Sequence, residues 1–230
     1  YPLCRILYYG KGDTMSRMPR VLSKNNVIIE PSQILSEIHT FGINSLTREI
    51  YLNGDLNENI TDGGGVDFRC AAPFLRNMDY LEHQSSKPIT IKMCLSGGDT
   101  TYGYAIYDRI ANAKCHVTIE CFGHASSMSG IIFQAADWRI MAKHSHYLLH
   151  YGSIEIAGNS IDVSENIKMN DKDNVIMLKL FAERCMKSKT FEGWTLNKVM
   201  KFLDDAMRKK GDLFLSPEEA LAWGLCDEVV

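Results

Sequence analysis

The sequence lacks a paired-cysteine framework. Its 7 cysteines form no C-x-x-C pair, and most of them lie inside apolar runs, where cysteine behaves as a small hydrophobic residue. An odd, unclustered set argues against a disulfide scaffold and against a structural zinc site, and it predicts a reducing compartment. We therefore expect a cytoplasmic protein, or one of an organellar matrix or stroma if a leader has been removed.

Long apolar runs and an excess of one charge are also missing. The 25 lysines and arginines nearly balance the 28 aspartates and glutamates, which argues against a nucleic-acid binder. No stretch reaches the length of a membrane span, and we expect neither a signal peptide nor membrane attachment. The 230 residues, of which 45% are apolar, can bury a sizeable core.

Two further chemistries find no support in the sequence. No P-loop motif of the form GxxxxGK[ST] occurs, so ATP-driven work would need a separate partner. His144, His146 and His150 alternate along one predicted strand and would share a face, but no carboxylate or fourth ligand accompanies them. We predict neither a metal nor a cofactor.

The sequence does contain a regular alternation of predicted strands and helices between residues 48 and 141. Strands are predicted at 48–54, 88–95, 115–122, 138–142 and 146–151; helices are predicted at 67–84, 100–113, 127–136, 160–188, 195–210 and 216–224. Such alternation favours parallel βαβ units with right-handed crossovers and an α/β fold. The polar segment 1–45, which has one apolar run, "NNVIIE", is separated from a domain at 46–230.

Two strand–helix junctions combine glycines with small polar residues: "LSGGD" at 95–99 and "FGHASSM" at 122–128. In parallel sheets, catalytic groups gather at the carboxyl ends of the strands. A turn of small residues can present a serine hydroxyl there, and nearby backbone N–H groups can stabilise an oxyanion. A serine pair is equally an ordinary helix N-cap, so the local pattern leaves both interpretations open.

Four separated motifs, in the right order, resemble the Clp-type serine peptidases (ClpP) over about residues 47–230. The G-x-A-[AS]-S-M pattern of the family's active serine is matched by "GHASSM", and "LLHYG" matches the strand that ends in its histidine. "GNSIDV" resembles the start of its handle helix, and "DLFLSPEEALAWGLCDEVV" resembles its C-terminal run. The resemblance implies the ClpP/crotonase fold, with repeated βαβ units and a protruding handle helix.

The resemblance implies a role for each matched residue. Ser127 would be the nucleophile and His150 the general base, while Ser126 would be a neutral neighbour. The backbone N–H groups of Gly98 and Met128 would form the oxyanion hole. His124 occupies a position that the pattern leaves open, where it would line the pocket or modulate Ser127.

The resemblance also implies an activity and an assembly. The chain would be an ATP-independent serine endopeptidase subunit that cleaves unfolded polypeptides inside stacked, heptameric rings (a tetradecamer). A separate AAA+ unfoldase would feed these rings, and the helix 160–188 would join them. Residues 1–45 would correspond to an axial or partner-binding region.

The third member of the triad has three candidates, because the segment that carries the family's aspartate is longer here than in the family. It offers Asp204, Asp205 and Asp212. The family's aspartate follows apolar residues three and six positions upstream. Asp205 resembles this pattern, and residues three apart share a helix face. We therefore predict Asp205 as the triad carboxylate, with the other two left open.

Two departures from the family pattern support alternative functions. The family's "N-S-P-G-G" turn reads "CLSGG" here, and Tyr151-Gly152 follows His150 where the family has Gln-Pro. The altered turn, together with the uncertain aspartate, leaves open a catalytically weak or inactive ring subunit that serves assembly. An acyl-CoA hydratase or isomerase of the related crotonase fold is a third possibility, but it would leave the serine, histidine and aspartate unexplained.

Overall fold

The computed structural model describes residues 31–53 and 65–230, together with the backbone of 21–22 and 28–29. The predictions for the rest of segment 1–45 and for residue 54 lie outside these described residues. The strands are β1 (Val21–Leu22), β2 (Ile28–Ile29), β3 (Ile43–Asn44), β4 (Glu49–Leu52), β5 (Ile89–Leu95), β6 (Val117–Ser126), β7 (Trp138–Met141), β8 (His146–Leu149), β9 (Leu213–Leu215) and β10 (Glu228–Val229). The helices are α1 (Pro31–Phe41), α2 (Phe68–Gln84), α3 (Thr100–Ala111), α4 (Met128–Phe133), α5 (Ser160–Cys185), α6 (Leu196–Lys210) and α7 (Pro217–Trp223), with a short 3-10 helix at Lys189–Phe191.

An eight-stranded sheet organises the described residues. Its main path runs β10-β7-β6-β5-β4-β3, and β8 branches from the end of β6 to pair with β9. The pairs β4–β5, β5–β6, β6–β7, β6–β8 and β7–β10 are parallel, whereas β3–β4 and β8–β9 are antiparallel. The predicted α/β fold with βαβ units is confirmed, and the 26-residue α5 is its long handle helix.

Alternating burial explains why the central strands form. In β5 the inward side chains Ile89, Ile91, Met93 and Leu95 are at most 1% exposed, as expected of a strand with one face against the core. Helix α2 begins at its N-cap Asp67, whose carboxylate accepts from the N–H groups of residues 69 and 70. Its buried residues recur at helical spacing and cover the sheet.

The strand that carries the serine motif is longer than predicted. β6 continues to Ser126, because its last residues pair with β8: His124 lies opposite His146, and Ser126 lies opposite Leu148. Helix α4 is correspondingly short. A second difference concerns the start of the domain, which we predicted at residue 46. Strand β3 lies before that residue and pairs with β4 of the main sheet.

Candidate active site

Ser127 occupies the turn between β6 and α4 in an unusual backbone conformation. Its φ is 56° and its ψ is −127°, and Arg48 is the other non-glycine residue with positive φ in the described chain. The Ser127 N–H donates to the carbonyl of Leu148 at 3.0 Å, and the Ser127 carbonyl accepts from Gly130 N at 3.0 Å. A serine held in a strained strand–helix turn is the geometry of a nucleophile elbow.

The helix-cap interpretation of this serine is not supported by the structure. Ser127 stands at the N-cap position of α4, but its side chain makes no capping hydrogen bond. The buried Ser129 stabilises the turn instead: its hydroxyl accepts from the N–H of Ser126 at 2.8 Å and contacts the carbonyl oxygens of Ser126 and Leu95. The Ser127 hydroxyl therefore has no structural task at the helix terminus.

The two predicted glycine-bearing turns meet at Ser127. Gly97 has φ 105°, and a Cβ placed on it would lie 2.7 Å from both the Ser126 carbonyl oxygen and the Ser127 Cβ, and 3.1 Å from Met128 N. Such a close backbone approach requires glycine. Gly98, at φ 145°, is equally crowded by the backbone of Val66. The backbone of the first turn thus lies against the start of α4, while the oxyanion-hole role of Gly98 and Met128 stays a prediction.

His150 lies one residue beyond β8, at the end of the sheet where Ser127 follows β6. Because Ser126 is opposite Leu148 in the parallel register, Ser127 and His150 both lie at the carboxyl ends of these strands, on the same side of the sheet. The Nε2 atom of His150 is buried and has no hydrogen-bond partner among the described residues. An unpaired ring nitrogen at this edge is suited to accept a proton.

The partner of His150 is Asp212. Its Oδ1 lies 2.9 Å from His150 Nδ1, which assigns the proton of a neutral imidazole to Nδ1 and leaves Nε2 as the acceptor. The antiparallel register explains the pairing, because Leu149 lies opposite Leu213 at the end of the β8–β9 ladder. The next opposed pair is His150 and Asp212.

The pairing of His150 with Asp205 that we predicted from the sequence is therefore corrected. The Asp205 carboxylate binds Lys201 Nζ at 2.9 Å, and its side chain is 61% exposed. The buried stripe of α6 is formed by Val199, Leu203 and Met207. Asp205 lies midway between the last two, which places it about 200° from each around the helix and hence toward solvent.

Asp204 has a different environment from its neighbour. Its Oδ1 accepts from the Tyr151 hydroxyl and, at 2.8 Å, from Arg208 Nε. The hydrogen bond from Tyr151 lowers the pKa of Asp204, with Arg208 contributing in the same direction. Burial and the Asp204 carboxylate raise the pKa of Tyr151, so the phenol stays a protonated donor.

The remaining histidines of the motif region lie outside this arrangement. His124 and His146 are exposed and lie opposite each other on β6 and β8, so the pocket-lining role predicted for His124 stays a prediction. Within the residues that the structure describes, no group of three or more histidine, cysteine or acidic side chains could hold a metal ion. In the same residues, no helix is long and apolar enough to cross a membrane.

A serine elbow and a histidine–aspartate pair that follow neighbouring parallel strands are an arrangement typical of serine hydrolases. An α/β sheet with a handle helix is the fold of the ClpP-type peptidases. The model of one family, Clp protease, matches residues 48–230 of this sequence. The chain belongs to the Clp protease family, which confirms the resemblance drawn from its motifs.

Similar proteins agree with this membership. The ATP-dependent Clp protease proteolytic subunit 3 of Synechococcus sp. (strain CC9902) is 29% identical over 186 residues, which cover 80% of this chain and 82% of that protein. Proteolytic subunit 2 of Chlamydia muridarum is 31% identical over 152 residues, covering 65% and 68%. A solved ClpP1 variant from Listeria monocytogenes has a TM-score of 0.59 at 24% identity, covers 80% of this chain and 91% of its own, and supports the fold.

Proposed function

We propose that the chain is a serine endopeptidase subunit that hydrolyses peptide bonds of unfolded polypeptides. The observation that carries the proposal is the His150–Asp212 pair, at 2.9 Å, with its unpaired Nε2 at the edge of the sheet where Ser127 stands uncapped. Membership of a peptidase family and the names of the relatives, proteolytic subunits, support the same chemistry.

In the proposed mechanism, Ser127 Oγ attacks the carbonyl carbon of the scissile bond while His150 Nε2 takes the hydroxyl proton. The backbone N–H groups of Gly98 and Met128 stabilise the tetrahedral oxyanion. His150 then protonates the leaving amine, and a water molecule hydrolyses the acyl-enzyme with His150 again acting as base. Asp212 holds the imidazole in the required tautomer and stabilises the imidazolium.

We further propose that the subunit works in stacked rings fed by a separate AAA+ unfoldase. Helix α5 supports assembly, since Ile161, Met169 and Val175 are 73%, 59% and 56% exposed in the single chain. Apolar groups on several faces of one long helix are typical of a surface that another subunit covers. The relatives are named subunits of ATP-dependent proteases, and the P-loop motif missing here would come from the partner.

A reducing compartment, the cytoplasm or an organellar matrix, is our proposal for the location. Among the described residues, Cys94, Cys115, Cys121, Cys185 and Cys226 form no disulfide, and all of these except Cys94 are buried. Free, buried thiols are typical of proteins kept in reducing surroundings.

Labelling by a fluorophosphonate tests the activity, because the probe reacts with an activated serine. We expect the wild-type protein to be labelled at Ser127 and to hydrolyse small fluorogenic peptides, and native mass spectrometry to show a multimer of the 26.0 kDa chain. An assembled protein that is neither labelled nor active would favour the assembly-subunit alternative. A monomer at all concentrations would contradict the ring proposal.

A further inference from the structure

The His150–Asp212 pair lies just outside the strand ladder that aligns it. The last residues paired in β8 and β9 are Leu149 and Leu213, so the ladder supports the pair from one side only. The two side chains are 24% and 57% exposed. Beyond His150 the chain continues without regular structure to residue 159, and a ladder end of this kind frays unless other contacts hold it.

Tyr151 supplies contacts on the other side of the pair. Its hydroxyl donates to Asp204 Oδ1, and the Arg208 guanidinium lies over its ring, 5.3 Å from the centroid. Arg208 Nε closes the group by donating to Asp204 Oδ1 at 2.8 Å. We call these three residues, Tyr151, Asp204 and Arg208, the tyrosine clamp.

The clamp connects the two segments that carry the pair. Tyr151 directly follows His150, while Asp204 and Arg208 belong to α6, which ends at Lys210 and leads through one glycine to Asp212. The His150–Asp212 hydrogen bond is thus flanked by the β8–β9 ladder and by the clamp. Contacts on both sides restrict how far the imidazole and the carboxylate can move apart.

We propose that the tyrosine clamp positions His150 against Asp212 for catalysis, with Tyr151 and Asp204 as positioning residues. The proposal rests on the proposed peptidase function. Reaction rates fall steeply when a catalytic group is displaced by even about 1 Å. Loss of the clamp therefore acts on turnover and leaves substrate binding nearly unchanged.

The chain offers a matched control for this test. Asp204 and Asp205 are neighbours on α6, and each forms an ion pair with a cation four residues away, Arg208 or Lys201. Of these two carboxylates, only Asp204 is hydrogen-bonded to Tyr151 among the described residues. Replacing either residue by alanine removes one exposed ion pair of small energetic value, but only Asp204→Ala opens the clamp.

We expect Tyr151→Phe and Asp204→Ala to lower kcat for a fluorogenic peptide about 10- to 100-fold, with KM within about twofold of the wild-type value. Asp205→Ala keeps the wild-type kcat. Asp204→Asn recovers most of the rate, because its amide oxygen still accepts from Tyr151. Thermal melts of all four variants separate a positioning effect from a general loss of stability.

Equal rates for Tyr151→Phe and wild type, equal losses for Asp204→Ala and Asp205→Ala, or a loss confined to KM would overturn the proposal. A failure of the peptidase function is recognised separately, because the wild type itself would then be inactive and unlabelled. If the wild type is inactive, crystal structures of wild type and Tyr151→Phe test whether the clamp positions His150 against Asp212. We expect the His150 Nδ1–Asp212 Oδ1 distance to lengthen in the variant, and an unchanged 2.9 Å contact would refute the clamp.

Discussion

The serine turn and the histidine–aspartate pair are held in place by different means. At the serine turn, Ser126 is 8% exposed, Met128 2% and Ser129 0%, and main-chain hydrogen bonds tie the turn to β8 and α4. The His150 and Asp212 side chains are 24% and 57% exposed and depend on one ladder end and a few side-chain contacts. Burial thus makes the serine turn part of the core, whereas the pair can be disturbed without unfolding the protein.

The largest expected effect follows from removing the proposed nucleophile. Ser127→Ala should reduce peptide hydrolysis by several orders of magnitude, about 10⁶-fold where the background rate allows it to be measured, because the triad acts as a unit. Ser126→Ala serves as the control and should keep most of the activity, since no side-chain hydrogen bond of Ser126 is present in the described structure. Equal losses in the two variants would show that the wrong serine has been assigned.

Changing the carboxylate that contacts His150 should rank next. Asp212→Asn should lower kcat about 10⁴-fold, because the amide favours the wrong imidazole tautomer. Since the Asp212 side chain is 57% exposed, we expect little change in melting temperature. Asp205→Asn is the control with wild-type activity; a large loss there, with an active Asp212→Asn, would restore the assignment made from the sequence.

A substitution in the glycine turn should reduce stability as well as activity. Gly97→Ala places a Cβ 2.7 Å from the backbone and side chain of the serine turn, so overpacking and positive φ should together lower the free energy of unfolding by about 3 kcal/mol. Gly193→Ala shares the positive φ, 76°, but meets nothing within 4 Å and should cost about 1 kcal/mol. Urea titrations measure the free energy of unfolding of both variants. Equal losses of stability would mean that the serine turn can rearrange to accommodate the added Cβ.

The smallest expected effect is a pH dependence of the stability that the tyrosine clamp contributes. In the folded protein the pKa of Asp204 lies below its ordinary value of 3.8, first because of Tyr151. Such a group stabilises the fold fully above that ordinary value, and the contribution is lost as pH falls through the folded pKa. Tyr151→Phe should therefore be less stable than wild type at pH 7, by about 1 kcal/mol.

This difference in unfolding free energy should shrink as the pH is lowered below about 4, the ordinary range of an aspartate. Urea titrations of both proteins at pH 7 and at successively lower pH measure it. A stability difference that is constant across this range would mean that the Asp204 charge does not contribute through Tyr151.

Much of the fold and both turns of the candidate site follow from local patterns. The alternation of apolar strands and amphipathic helices predicts the α/β class, because a strand and a helix that each bury one face repeat their apolar residues at different spacings. The glycines and serines of 95–99 and 122–128 predict two tight turns beside a strand end, and the structure brings these turns together. The extension of β6 to Ser126 was missed, since it depends on pairing with β8 and leaves no local signal.

The amino-acid sequence by itself predicted the strand–helix alternation between residues 48 and 141, the family, and Ser127 and His150 as candidate site residues, since each follows from a contiguous pattern. It did not predict helix α1 or the short strands β3, β9 and β10. Only the tertiary structure decided which carboxylate contacts His150. Asp205 satisfies a helix-face rule that considers one helix alone, whereas Asp212 meets His150 across a separation of 62 residues. The β8–β9 register creates that contact, and a strand register is set by which side chains two distant segments bury together.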